Sequence, residues 1–144
     1  MEAVQSQPLN ASTLERRLAA AGVALMTTGA GFVWYFEPTK AGFFPVCPLF
    51  AFTGFACSGC GLTRGFHALF HGDIAAAMGF NALIPIFVVL FGLFFFAMLN
   101  VALRGKPVPR WSISLPALWG FLFLLVGFGI VRNIPAYPFT LLFP

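Results

Sequence analysis

Cys47, Cys57 and Cys60 are the three cysteines of the chain, and all fall within residues 47–64, CPLFAFTGFACSGCGLTR. Cys57 and Cys60 stand as a CxxC pair directly ahead of a stretch that can form a helix. A helix N-terminus and the nearby Arg64 both favour a thiolate over a thiol, which suits a dithiol that cycles with a disulfide. Cys47 brings the sulfur count to three, and His67 or His71 is a candidate fourth ligand. Three sulfurs and one nitrogen suit tetrahedral zinc. Soft sulfur ligands suit copper(I) equally, so the thiophilic metal is left open. The plainer reading of the same residues is a structural disulfide, or inert thiols that let a loop pack closely. Redox CxxC pairs usually sit on a thioredoxin-like sheet, and the sequence shows no such pattern.

Arg64 is the next candidate. A charge near membrane depth is costly and marks function by default, here binding of an anion or a lipid headgroup. The alternative is that its donors clamp carbonyls of the cysteine loop, with Asp73 as counter-ion. Thr63 reads as a residue of the first helical turn and Asp73 as a helix cap. Asn81 reads as an amide that satisfies a kink or bridges helices. The four carboxylates of the chain include Glu2, Glu15 and Glu37, which read as tail or flank residues. General acid–base chemistry would then rest on Asp73 and the two histidines, and no serine–histidine–carboxylate set or phosphate loop is legible.

The elements that must position these groups are apolar. Hydrophobic residues make up 60% of the 144 residues and charged residues 8%, against about 25% charged in a soluble domain. Such a chain belongs in a lipid bilayer. The net charge of +4 does not imply nucleic acid, because the basic residues flank apolar runs rather than forming a stripe.

Taken in order, residues 1–17 are a polar tail in which Ser12 and Glu15 form a capping-box pattern. Residues 18–36 are a first transmembrane helix, roughly 28 Å long, with Trp34 and Tyr35 at its interfacial end. Residues 37–61 are a loop broken by Pro38, Gly42, Pro45, Pro48, Gly54, Gly59 and Gly61, in which no helical period survives. Phe43, Phe44, Phe50, Phe52 and Phe55 make it apolar, so it lies in the interface or re-enters the bilayer. Residues 62–71 predict a short amphipathic helix with Leu62, Phe66, Leu69 and Phe70 on one face. Cys60, Arg64, His67 and His71 line the other, and Gly72 ends it. Residues 74–103 predict a second span of about 45 Å, kinked near Pro85, where Asn81 would re-satisfy the freed carbonyl. Pro107 and Pro109 break the chain. Residues 113–131, flanked by Trp111, predict a third span, and 132–144 an interfacial tail. The fold expected is therefore all-α and integral to the membrane, with three transmembrane helices and a short interfacial or re-entrant helix.

The basic residues set an orientation. With the N-terminus inside, Arg16, Arg17, Arg104, Lys106 and Arg110 face the cytoplasm. Lys40, Arg64 and Arg132 face the other side with the cysteine loop, where disulfides persist.

Residues 47–82 carry Cys47-Pro48, Thr53-Gly54, Cys57-Ser58-Gly59-Cys60-Gly61, Thr63-Arg64, Gly72-Asp73 and Asn81-Ala82. This run resembles a family of small bacterial integral membrane proteins of unknown function, whose pattern is CP, TG, CPGCGxTR, GD and NP. Ser58 and Ala82 stand where the pattern has proline, and His67 and His71 are not part of it. The resemblance implies a bacterial cytoplasmic membrane location and marks the cysteine segment, without implying an activity. The expected function is a cysteine-centred site at the membrane surface, more a binding or switching module than an enzyme, that binds zinc or another thiophilic metal or switches between dithiol and disulfide. The alternative is an accessory subunit of a larger membrane complex or homo-oligomer, with the loop as a structural clasp.

Overall fold

The computed structural model describes residues 11–42, 44–106 and 114–142. Phe43, Pro107, Pro109, Arg110, Trp111, Ile113 and residues 1–10 lie outside them. Most of the described residues are helical, and none of them lies in a strand.

Helix α1 (Thr13–Tyr35) begins at the capping box expected from the sequence. The Ser12 amide donates to Glu15 Oε2 at 2.6 Å, and the Glu15 amide donates to Ser12 Oγ at 3.2 Å. The helix therefore starts several residues before the apolar run does. It ends at Phe36, whose extended backbone leads toward Pro38, where helix cannot continue.

The loop expected over residues 37–61 is not wholly irregular. It contains helix α2 (Pro48–Thr53). Pro48 lies in the first turn, where its missing N–H costs nothing. Gly54, left-handed at φ 73°, ends it. Helix α3 (Leu62–Phe70) matches the amphipathic helix expected, and follows a left-handed Gly61 at φ 82°. A side chain at Gly61 would strain that entry turn.

The second predicted span is two helices rather than one kinked helix. Helix α4 (Ile74–Phe80) is capped by Asp73, whose Oδ1 accepts the Ala76 amide at 2.8 Å. At Asn81 the backbone becomes extended, and helix α5 (Ile84–Arg104) starts afresh with Pro85 in its first turn. Pro85 thus opens a helix instead of bending one, because a first-turn position needs no N–H donor. Helix α6 (Leu115–Val131) is followed by a 3₁₀ turn, Phe139–Leu142.

Helices α1 and α5 form the main pair and run antiparallel, the start of α1 lying beside the end of α5. Both are long and apolar enough to cross a membrane, at about 34 and 31 Å. Helix α6 is apolar but shorter, with 17 described residues. Two of the three expected spans therefore meet the length of a crossing helix. Their outer faces present large apolar side chains such as Phe94, Phe96, Leu118 and Phe123.

The buried core is concentrated at the cysteine end. Ala56, Cys60, Ala77, Leu83 and Ile84 are buried there. Gly65 lets α3 approach the start of α5. A Cβ on Gly65 would stand 2.7 Å from Ile84 Cδ1 and 3.1 Å from the Ala77 carbonyl oxygen, closer than packed atoms come.

Candidate functional site: a three-cysteine corner

Cys57 and Cys60 are joined by a turn in which the Cys60 amide donates to the Cys57 carbonyl at 3.0 Å. The Cys57 amide donates in turn to Cys60 Sγ at 3.3 Å. This turn places both sulfurs on one side of the loop. Cys47, immediately before α2, reaches the same place. The three Sγ atoms lie within 4.8 Å of one another, with Cys47–Cys57 and Cys57–Cys60 both at 3.3 Å. All three are free thiols, since a disulfide would hold its sulfurs about 2.05 Å apart.

The thiols are unequal. The Phe50 amide at the start of α2, and then the neighbouring Cys57 thiol, bring Cys47 down to about 7. Burial, followed by the two other thiols, pushes Cys60 up to about 12. Cys47 is therefore the first of the pair to become a thiolate. The sulfurs border a cavity of about 530 Å³ that also includes Thr63 and Arg64 in its wall.

The loop behind the sulfurs is held by buried polar side chains. Asn81 is fully buried. Its Nδ2 donates to the Ser58 and Cys60 carbonyls at 2.8 and 3.1 Å, and its Oδ1 accepts the Leu83 amide at 2.9 Å. Where a kink-satisfying or helix-bridging amide was expected, Asn81 ties the cysteine loop to the break between α4 and α5. Arg132, just after α6, is also fully buried. Its Nη1 donates to the Cys57 and Cys60 carbonyls at 2.9 and 3.0 Å, and its Nε to the Leu142 carbonyl at 3.1 Å. Asn133 beside it pairs reciprocally with the Ala56 backbone, at 2.8 Å in both directions.

The clamping role expected of Arg64 thus belongs to Arg132. Arg64 lies over the Phe80 ring at 5.4 Å and forms no ion pair with Asp73, which caps α4 instead. Sequence reading missed Arg132 by treating it as an orientation charge. The available signal was an Arg-Asn pair inserted between two apolar segments.

The two histidines stand outside the sulfur cluster. His67 Nδ1 lies 2.7 Å from the Val33 carbonyl. A carbonyl only accepts, so Nδ1 carries the proton. Val33 is in the last turn of α1, where carbonyls lack helical partners, and His67 latches that end to α3. His71 Nδ1 bonds the His67 carbonyl at 2.9 Å, and its ring stacks on Trp34 with planes 11° apart. The helical face expected to carry Cys60 with these histidines does not form, because Cys60 sits in the turn before α3 begins.

The segment holding this corner, from Cys47 into α5, is similar to a known family. Residues 47–95 match the family model described as Protein of unknown function (DUF2752). The match bears out the resemblance seen in the sequence and opens at Cys47 itself. It takes in the three cysteines, Arg64 and Asn81, whereas Arg132 and Asn133 lie beyond it. No curated protein and no solved structure matches the chain.

Three sulfurs at these separations fit a soft metal ion. Bonds of about 2.3 Å from sulfur to zinc place tetrahedral sulfurs about 3.8 Å apart, near the 3.3 Å of two of the pairs and inside the 4.8 Å that bounds all three. The buried guanidinium behind the loop, with one Nη left without a partner, favours negative charge on the sulfur cluster.

Proposed function

We propose that the chain is a small, non-enzymatic integral membrane protein that binds a soft metal ion through Cys47, Cys57 and Cys60. The observation that carries this reading is the sulfur trio set in front of a buried Arg132 that has no carboxylate partner among the described residues. A lone buried cation costs several kcal/mol, on the order of the desolvation penalty of an ion. Three thiolates on a divalent ion carry a net charge of −1, and on a monovalent ion −2. Either complex supplies the counter-charge that neutral thiols do not. The three-sulfur donor set without a histidine favours copper(I), or zinc with a fourth position open to solvent. The length and apolar surface of α1 and α5 support residence in a bilayer. In the orientation proposed, the N-terminus is inside and the cysteine corner faces the exterior, since Lys40, Arg64 and Arg132 are fewer than the basic residues on the other side.

The test is a titration of the full chain, reduced and purified in mild detergent, with copper(I) and zinc against a chromophoric chelator. One ion per chain is expected. Cys47→Ser, Cys57→Ser and Cys60→Ser should each abolish binding, while His67→Ala and His71→Ala should retain it. Absence of a bound ion, together with a Cys57–Cys60 disulfide that forms and breaks in glutathione buffers, would replace this reading by a dithiol switch.

A further inference from the structure

A second hollow adjoins the sulfur cavity. Helices α1, α3 and α5 leave an open groove of about 630 Å³ between them, walled by Ala30, Leu62, Phe66, Phe91 and Phe95 among others. Its volume falls within the roughly 300–1,000 Å³ of small-molecule sites. Gly29 and Gly92 line opposite helices of this groove, and a Cβ on either would meet nothing within 4 Å. The groove is therefore open space and not a seam that packing has closed.

Thr63 belongs to the wall of the groove and to the wall of the sulfur cavity. The two hollows meet at that residue, and Arg64 follows it in the cavity wall. Its guanidinium is half-buried against Phe80 and has no hydrogen bond or carboxylate among the described residues. No carboxylate lines either hollow. An apolar trough that opens beside a free guanidinium has the polarity of an anionic amphiphile: a hydrocarbon chain at one end and an acidic head at the other.

We propose that the groove holds an acyl chain of an anionic phospholipid whose phosphate is received by Arg64 at the mouth of the sulfur cavity. Arginine suits this role because its planar fork donates two parallel bonds to a phosphate. Basic recesses between membrane helices bind acidic headgroups by the same physics. The inference rests on the bilayer reading of the chain and is independent of whether the cysteines hold a metal. If it holds, the lipid head forms one side of the cavity into which the sulfurs open.

The experiment is native mass spectrometry of the full chain in neutral detergent. Phosphatidylglycerol and phosphatidylcholine with the same acyl chains are added separately. Phosphatidylglycerol should be retained about tenfold more tightly, the scale of a hydrogen bond to a charged group. Arg64→Gln should make the two lipids equal. Gly92→Leu or Gly29→Leu, which fills the trough, should lower retention of both while thermal unfolding stays cooperative. Inorganic phosphate alone should not displace the lipid, since the chain supplies part of the affinity. Equal retention of the two lipids by the unaltered chain overturns the proposal. So does a preference that survives Arg64→Gln, or a dimer that carries no lipid. Loss of metal binding with lipid selectivity intact would refute the metal site and leave this one standing.

Discussion

Two arginines hold backbone carbonyls at opposite ends of the α1–α5 pair, in opposite surroundings. At one end Arg16 is exposed and donates from Nη2 to the Ala102 carbonyl at 3.2 Å. It lies along Gly105, the left-handed cap of α5. At the other end Arg132 is fully buried, bonds three carbonyls and retains one Nη without a partner. The first is a helix-end cap whose charge remains hydrated. The second fixes a loop and leaves a charge to be balanced from within the protein. The comparison separates the polar groups that tidy a helix terminus from those that build a site.

The largest effect expected is on metal binding. Arg132→Met should weaken it by about 10–100-fold, the range for groups that orient metal ligands from behind. Chelator competition measures this, and an unchanged affinity would remove Arg132 from the site. Gly65→Ala should destabilise the corner by about 1–3 kcal/mol, the cost of overpacking, seen as a lower midpoint of thermal unfolding in detergent. A melting point equal to that of the unaltered chain would show that Ile84 yields without strain.

Thiol reactivity sharpens the contrast within the corner. Alkylation depends on the thiolate, whose fraction rises with pH. Cys47 labelling by iodoacetamide should therefore climb through a midpoint near 7, and Cys60 should stay unreactive up to pH 9. Mapping the labelled peptides checks this; a shared midpoint near the ordinary thiol value, about 8.5, would contradict the inequality. The smallest effect belongs to the exposed arginine. Arg16→Gln should cost less than about 1 kcal/mol, as solvent-screened charges do. In the same chelator competition, a loss of metal affinity for Arg16→Gln matching that of Arg132→Met would erase the distinction drawn between the two ends.

Much of this architecture was legible in residue order. Ser12 with Glu15 announced the start of α1, and Asp73 the start of α4, because capping depends on neighbours three residues apart. The cysteines were also close enough in sequence for one loop to gather them. The break at Asn81 was harder to foresee. Pro85 inside an apolar run fits a kinked helix or the first turn of a new one, and the choice depends on the buried partners of Asn81. The partners of Arg132 were illegible for a related reason. Its bonds reach 75 and 72 residues back along the chain, and no local pattern encodes such a contact. The histidines misled through periodicity: helical spacing orients only residues within the helix, and Cys60 precedes it.

The reach of Arg132 bears on how the protein is made. A chain emerging from the ribosome presents Cys47, Cys57 and Cys60 well before residue 132 has been synthesised. Until α6 is in place, the Cys57 carbonyl lacks the Nη1 donor and the loop behind the thiols lacks its buried guanidinium. The corner is thus completed by nearly the last segment described. The Cys57 and Cys60 carbonyls therefore gain their Nη1 donor only once the segment after α6 has folded back onto the loop.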